Sequence, residues 1–257
     1  MSNDKSIVLL GVQVDLFKSC FVATESLWAP YELIVLDESI SSSKLSATLQ
    51  KSGVCSVVFQ DTDLDGSLLV TLKEYYDEGG LVVFFGIYGV YDDPSKLSVQ
   101  FDLPKPWEFS AYTRYEYEIT NIAMDCLGYK DMKAQRLKCN LLHVPIQDRW
   151  LVPKATPLHQ FIEDHLGSLQ IGEEPDDEWK RDVPKAKESY LEYCEGLYRQ
   201  CPLAVHQNAN EGQLAYLGFV NGDGDVERVV NCVLTRNDEH ENPTNAGMGM
   251  GFMSFLR

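Results

Sequence analysis

Polar residues follow three apolar runs of the sequence, at the positions where strands are expected to end. These residues are the candidates for a ligand-binding site: Asp61, Asp63, Gly86, Tyr88, Asn221 and Asp223. In open α/β sheets, ligands bind outside the carboxyl ends of the strands, near the point where the strand order reverses. Several carboxylates at one edge favour a cation, an amine or another hydrogen-bond donor over a phosphate. The alternative is that each aspartate only caps the helix that follows it.

The segment Asp61-Thr62-Asp63-Leu64-Asp65-Gly66 matches the first half of a calcium-binding loop. A complete loop carries a bidentate glutamate at position twelve, where this sequence has Leu72, and a helix precedes it where this sequence predicts a strand. We therefore prefer an acidic loop that caps the next helix. A calcium site formed by Asp61, Asp63 and Asp65 is the alternative.

The turn Gly86-Ile87-Tyr88-Gly89 follows an apolar run, which is where hydrolases place a nucleophile elbow. The lifted side chain is then Tyr88 or Ile87; neither is a ready nucleophile, and no histidine is close in sequence to activate one. A structural turn is favoured over a catalytic elbow.

The histidines and cysteines lack metal-ligand spacing, and Gly11 alone makes no dinucleotide-binding fingerprint. We predict no cofactor.

Strands and helices alternate along the first third of the chain and supply the scaffold for these candidates. Apolar runs at residues 6–12, 31–36 and 54–60 predict strands, the third of them buried, and the glycine-bounded run at residues 81–85 is typical of a strand buried on both faces of a parallel sheet. They predict an α/β fold with a mainly parallel, doubly wound sheet, flavodoxin-like or Rossmann-like, in which residues 81–85 form a central strand. Further strands are predicted at residues 114–120, 137–144, 149–153, 203–207 and 213–220.

Residues 154–200 interrupt this pattern with a long, acidic, helix-rich insertion. We interpret it as a solvated surface insertion in which Tyr190, Leu191, Cys194 and Leu197 pack towards the body, with a partner-binding acidic arm as the alternative. Residues 1–236 are assigned to a single domain. Residues 237–257 are predicted to be a disordered tail, because glycine, proline and charge replace a periodic apolar face.

Several motifs resemble those of a known superfamily. They are GGLVVFFG at residues 79–86, the W-x-x-x-x-Y-x-R run of Trp107, Tyr112 and Arg114, and EGQLAYLGFVNGDGDVERVV at residues 211–230. With these motifs the chain resembles the class I glutamine amidotransferase-like superfamily. It is most similar to an uncharacterised eukaryotic family of that fold, found in fungi and algae. The resemblance implies that fold for most of residues 6–236 apart from the insertion.

Active amidotransferases of that superfamily carry a Gly-x-Cys-x-Gly elbow, and a His-x-Glu pair after the last core strand. The corresponding places in this chain hold Gly86-Ile87-Tyr88-Gly89 and Phe219-Val220-Asn221-Gly222-Asp223. The Cys-His-Glu triad is therefore missing. The resemblance implies a pseudoenzyme without glutaminase activity, and fold alone assigns no other reaction.

Composition limits the classes of partner. The net charge of −17 argues against a nucleic-acid-binding surface, which needs a basic patch. No apolar run approaches the roughly 20 residues of a membrane-spanning helix, so we expect no membrane association. Seven cysteines without paired spacing are typical of free thiols in a reducing compartment, and we predict a cytoplasmic protein.

Two functions from different classes fit these observations. The first is a non-catalytic binding or interaction module whose partner is an unknown small molecule or protein. The second is a hydrolase or lyase that acts on a small polar substrate, with Asp61, Tyr88 and Asp223 converging at the carboxyl edge of the sheet. An open, polar, concave edge favours the enzyme, and a filled edge favours the module.

Overall fold

The computed structural model describes residues 5–19, 31–60, 64–86, 95–127, 135–166 and 177–218, together with residues 229–230 and 233–234. The strands in chain order are β1 (Lys5–Leu10), β2 (Tyr31–Leu36), β3 (Val54–Phe59), β4 (Leu81–Phe85), β5 (Glu108–Ile119), β6 (Gln135–His143), β7 (Arg149–Pro153), β8 (Gln200–Cys201), β9 (Leu203–Gln207) and β10 (Gln213–Leu217). The helices are α1 (Val14–Ser19), α2 (Ser42–Leu49), α3 (Gly66–Asp77), α4 (Ser95–Gln100), α5 (Asn121–Leu127), α6 (Leu158–Leu166) and α7 (Asp177–Tyr198).

The strands form one ten-stranded sheet in the order β2-β1-β3-β4-β10-β9-β7-β5-β6-β8. Strands β2, β1, β3, β4 and β10 pair in parallel, and we call them the parallel half. Every pairing from β10 through β9, β7, β5 and β6 to β8 is antiparallel. We call β9, β7, β5, β6 and β8 the antiparallel half.

The prediction of a mainly parallel, doubly wound, Rossmann-like sheet is therefore wrong. Its first four strands do pair in parallel, but the sheet then changes direction. The change comes at the hairpin between β9 and β10, whose connection at residues 208–212 is shorter than the dozen or more residues that a parallel crossover needs. The prediction for residues 81–85 is confirmed, because β4 lies between β3 and β10 and is buried throughout.

Apolar side chains cover both faces of β1, β3, β4 and β10, while the edge strand β2 is only partly buried. Successive residues of β1 point to opposite faces, so Ile7 and Leu9 join one core cluster and Val8 and Leu10 join the other. Helix α1 and the helical residues 229–230 and 233–234 pack in the first cluster. Helices α2, α3 and α4 pack in the second. Both faces of β4 are thereby sealed from solvent.

Helices α6 and α7 lie in the predicted insertion and pack against each other through aromatic side chains. Phe161 of α6 lies 5.2 Å from the rings of both Tyr190 and Tyr193 of α7. Arg149 of β7 attaches the end of α7 to the sheet, because its guanidinium donates to the carbonyl oxygens of Tyr198 and Val144. A cation at this position is also stabilised by the negative end of the helix dipole.

Candidate functional site

The carboxyl ends of β4 and β10, where the sequence places a ligand site, meet a residue from the antiparallel half. The side-chain amide of Asn140, from β6, donates to the carbonyl oxygen of Gly86 at 2.6 Å. The Asn140 backbone N–H donates to the carbonyl oxygen of Gly218 at 2.8 Å. The sheet must therefore curl, because β6 and β10 are not neighbours in the strand order. We call Gly86, Asn140, Tyr216 and Gly218 the Asn140 junction.

Among the described residues, protein atoms fill the Asn140 junction and leave no space for a ligand. Asn140 and Tyr216 are both buried, and the Tyr216 hydroxyl donates to the Asn140 carbonyl at 3.3 Å. A Cβ on Gly86 would lie 2.5 Å from the Tyr216 ring, and a Cβ on Gly218 would lie 2.2 Å from the Asn140 carbonyl oxygen. Both distances are below van der Waals contact, so glycine is required at each position. This part of the carboxyl edge is filled by protein.

Burial also sets the protonation of the Asn140 junction. It raises the pKa of the Tyr216 hydroxyl well above its usual value, with the thiols of Cys139 and Cys201 as smaller causes. Tyr216 therefore stays protonated at neutral pH and acts as a hydrogen-bond donor. Burial likewise raises the pKa of Cys139, and it raises the pKa of Cys201 to about 11. Neither thiol has the thiolate character that a nucleophile needs.

Only two of the predicted site residues belong to the described part of the chain. Gly86 lies in the Asn140 junction, and its N–H donates to the Leu217 carbonyl at 2.9 Å. Asp65 caps α3, because its Oδ1 accepts from the Ser67 N–H at 2.8 Å and from the Ser67 hydroxyl at 2.5 Å. The remaining candidates lie outside the described residues: Asp61, Asp63, Tyr88, Asn221 and Asp223.

The hydrogen bonds of the helix cap account for the lowered pKa of Asp65, so a bound metal ion is not needed to explain it. Hydrogen bonds from the side chain and then the backbone of Ser67 lower the pKa of Asp65, so the carboxylate is the stable form beside the helix N-terminus. Among the described residues, no group of three or more histidine, cysteine, aspartate or glutamate side chains could hold a metal ion. The predicted calcium alternative needs Asp61 and Asp63, which lie outside those residues.

A buried carboxylate, which the sequence analysis missed, joins three distant parts of the chain. Asp148 is 3% exposed; its Oδ1 lies 3.0 Å from Nδ1 of His206, and its Oδ2 accepts from Nε1 of Trp107 at 3.1 Å. A carboxylate at Nδ1 orients an imidazole as in acid–base catalysis. The partners lie 41 and 58 residues from Asp148 along the chain, so no local motif could indicate them.

A second pair that the sequence did not indicate lies on β5 and β6. Ser110 Oγ is 2.9 Å from Nε2 of His143, and both side chains are half-buried. Ser110 sits where the register between the strands shifts, between Phe109 and Ala111. A serine hydroxyl beside an imidazole is the first requirement of a serine nucleophile; the second is a group that orients the imidazole.

The concavities described on the surface lie away from these polar groups. A groove of about 370 Å³ between α3 and α4 is lined by Leu69, Ser95, Lys96, Leu97, Val99 and Gln100. A smaller one, of about 40 Å³, lies between α2 and α3. Neither includes Ser110, His143, Asp148 or His206. Among the described helices, none has the length and apolar character to cross a bilayer.

Comparison with known proteins finds similar chains among solved structures. A scan of protein-family models and a search of curated proteins each find no match. A solved structure described as "mmIFT52 N-terminal domain" aligns with 96% of this chain and 100% of its own, at a TM-score of 0.49 and 15% sequence identity. A similarity of this size supports no conclusion about function. None of these findings supports the class I glutamine amidotransferase-like or Rossmann-like description.

Proposed function

We propose that the chain is a non-catalytic binding or interaction module. The observation that carries the proposal is that protein fills the described part of the carboxyl edge: Asn140 caps the Gly86 carbonyl, and Tyr216 occupies the space above Gly86. A reaction centre at this point would need a cavity with convergent polar groups. The described hydrogen bonds of the Asn140 and Tyr216 side chains instead go to backbone carbonyl oxygens.

The partner of such a module is a protein or a small molecule. The net charge of −17 disfavours nucleic acid, because the electrostatic attraction to phosphates is missing.

Four described cysteines, Cys55, Cys139, Cys194 and Cys201, carry free thiols, which supports a cytoplasmic location. Fractionation of cells that express a tagged chain tests that location.

The test of the module is an activity assay with two junction variants. Purified protein is incubated with glutamine, with simple esters and with simple amides, and the release of ammonia or alcohol is measured. We expect rates at the background level for wild type, Asn140→Ala and Tyr216→Phe. Turnover by wild type that disappears in a variant with an unchanged circular dichroism spectrum would show a reaction centre at the junction and overturn the proposal.

The Ser110–His143 pair favours one second candidate, a serine hydrolase. A fluorophosphonate probe forms a covalent bond with an activated serine hydroxyl and displaces fluoride, so it reports activation without knowledge of the substrate. A hydrolase predicts labelling of wild type that is lost in Ser110→Ala and reduced in His143→Gln. Ser39→Ala, an exposed serine on the same chain, is the matched control. A module predicts no labelling above the denatured protein.

A further inference from the structure

The second half of α7 exposes a stripe of residues that no described part of the chain covers. The stripe consists of Glu188, Leu191, Glu192, Glu195 and Tyr198, which are all exposed. Their spacing of three and four residues places them on one side of the helix. The side chain of Leu191 is 64% exposed and that of Tyr198 is 47% exposed. We call this set the α7 outer face.

The packing of α7 fixes the direction in which the outer face points. Ala186 and Leu197 are buried on the opposite side of the helix, and Tyr190 and Tyr193 pack on Phe161. The insertion was expected to bury Leu191 with Tyr190, Cys194 and Leu197, but Leu191 lies on the solvent side. The reason is angular, because Leu191 is 100° from Tyr190 around a helix with 3.6 residues per turn. The position of Leu191 in the helical repeat of α7 therefore places its side chain in solvent.

Charge is distributed unevenly along α7. In the first half, Arg181 pairs with Glu178 and Asp182, and Lys185 pairs with Asp182. In the second half, the described residues offer Glu188, Glu192 and Glu195 no ion pair, although Lys187 lies beside them in sequence. The last turn of α7 contains no basic residue.

The positions of these three glutamates are electrostatically unfavourable for an isolated helix. Glu188 and Glu192 are four residues apart and Glu192 and Glu195 are three apart, so like charges face each other. They also approach the C-terminus of α7, where the helix dipole favours cations. Arg149 of β7 already meets the end of α7 at the Tyr198 carbonyl, so further cations from a partner would chiefly relieve the repulsion between the glutamates. Leu191 lies between them and offers the apolar contact that such a partner needs.

We propose that the α7 outer face docks a basic amphipathic helix. Lysine or arginine side chains of that partner pair with Glu188, Glu192 and Glu195, and its apolar stripe covers Leu191 and Tyr198. The aromatic ring of Tyr198 also accepts a cation over its face. The net charge of −17 attracts such a partner from a distance. This inference rests on the proposed function, because it names the partner of an interaction module.

The test uses a defined probe, a fluorescein-labelled peptide of about 18 residues made of leucine, lysine and alanine with leucine at helical spacing. Its binding to the full chain is measured by fluorescence anisotropy at low and high salt. A peptide with the same composition but leucine and lysine evenly mixed, and one with glutamate in place of lysine, are the control probes. We expect only the basic amphipathic peptide to bind, more weakly at high salt.

Variants locate the binding surface. The triple variant Glu188→Gln, Glu192→Gln, Glu195→Gln should bind about tenfold more weakly, as three exposed ion pairs are lost. Leu191→Ala should bind about fivefold more weakly, as apolar contact is lost. The matched control is Glu32→Gln, Glu74→Gln, Glu118→Gln, which removes the same charge from exposed glutamates elsewhere and should bind as wild type does.

Four outcomes overturn the inference. The first is absence of binding, and the second is an equal loss in the triple variant and its control, which would show attraction by net charge alone. The third is binding only after removal of residues 235–257, which would show that the chain's own tail occupies the face. The fourth is a dimer that Leu191→Asp dissociates, which would show a second copy. None of these reports catalysis, so failure here is distinguishable from failure of the module proposal in the activity and labelling assays.

Discussion

Both halves of the sheet bury polar atoms that have no hydrogen-bond partner among the described residues, including Gln200 Oε1 in β8, but the halves differ in how far along the chain their buried polar groups reach. In the parallel half, the strand interiors are almost wholly apolar, and Ser56 of β3 is a buried hydroxyl with no hydrogen-bond partner among the described residues. In the antiparallel half, Asn140 donates to Gly86, and His206 of β9 contacts Asp148, which lies just before β7 and also accepts from Trp107, just before β5. The polar groups of that half connect elements that are far apart in the chain.

This difference shows what holds each half together. Continuous apolar runs bury the parallel strands, so their stability comes from area removed from water and depends little on direction. The antiparallel half curls back onto β4 and β10 through a few directed hydrogen bonds. Such contacts are modest when made, but costly when one partner is removed and the other stays buried. Substitutions that change polar contacts should therefore affect the two halves unequally.

Gly218→Ala should lower the free energy of unfolding the most, because it disrupts the contact between the two halves of the sheet. The new Cβ would lie 2.2 Å from the Asn140 carbonyl oxygen, which is backbone and cannot rotate away. We expect the free energy of unfolding to fall by about 3 kcal/mol or more, measured by urea denaturation. Gly66→Ala is the control in the parallel half, since nothing lies within 4 Å of its Cβ. Equal stability of the two variants would contradict the Asn140 junction.

Asn140→Ala should lower the free energy of unfolding by about 2 kcal/mol. The substitution leaves the buried Gly86 carbonyl without its donor, and an unpaired buried polar group costs about 1–3 kcal/mol. The paired experiment in the parallel half is Ser56→Ala, which removes a hydroxyl that has no partner among the described residues. That change should be neutral or slightly stabilising in the same urea titration. A loss from Ser56→Ala as large as that from Asn140→Ala would remove the distinction between the halves.

The same contrast decides how much of the structure was predictable. Residues 31–36 and 81–85 were predicted with the bounds of β2 and β4, and β1 and β3 differ at their ends by one or two residues. An apolar run is a local signal, and these strands carry it; among the four, β4 alone has glycine at both ends, Gly80 and Gly86. The alternation of residues 114–120 also indicated a half-exposed strand, which the structure extends to Glu108–Ile119.

The sequence could not indicate the pairing direction of the later strands or the polar contacts they create. Strand β10 inserts between β4 and β9, and nothing in its apolar residues distinguishes a parallel neighbour from an antiparallel one. Asn140 and Gly86 are 54 residues apart, so their contact depends on how the sheet curls. Of the proposed ligand-site residues, Gly86 could be placed at the predicted edge, but its contacts are with protein.

Asp148→Asn should lower the free energy of unfolding by about 2 kcal/mol. The amide cannot accept from both Trp107 and His206, and hydrogen bonds to a buried charged group contribute about 1.5–3 kcal/mol. The control is Asp77→Asn, since Asp77 is 47% exposed and its ion pair with Lys73 is at the surface. That variant should lose less than about 1 kcal/mol. A larger loss of unfolding free energy in Asp77→Asn than in Asp148→Asn would show that burial does not determine how much a carboxylate contributes to stability.

Gly196→Ala should give the smallest change, and in the opposite direction. Gly196 lies near the end of α7, and no atom lies within 4 Å of the position of its Cβ. Alanine is favoured over glycine within a helix by about 0.8–1.0 kcal/mol, and a position close to the helix end should give about half of this. The free energy of unfolding should therefore rise by about 0.5 kcal/mol, seen as a higher urea midpoint with an unchanged slope. A fall of about 1 kcal/mol would instead mean that residues outside the described part of the chain contact this side of α7.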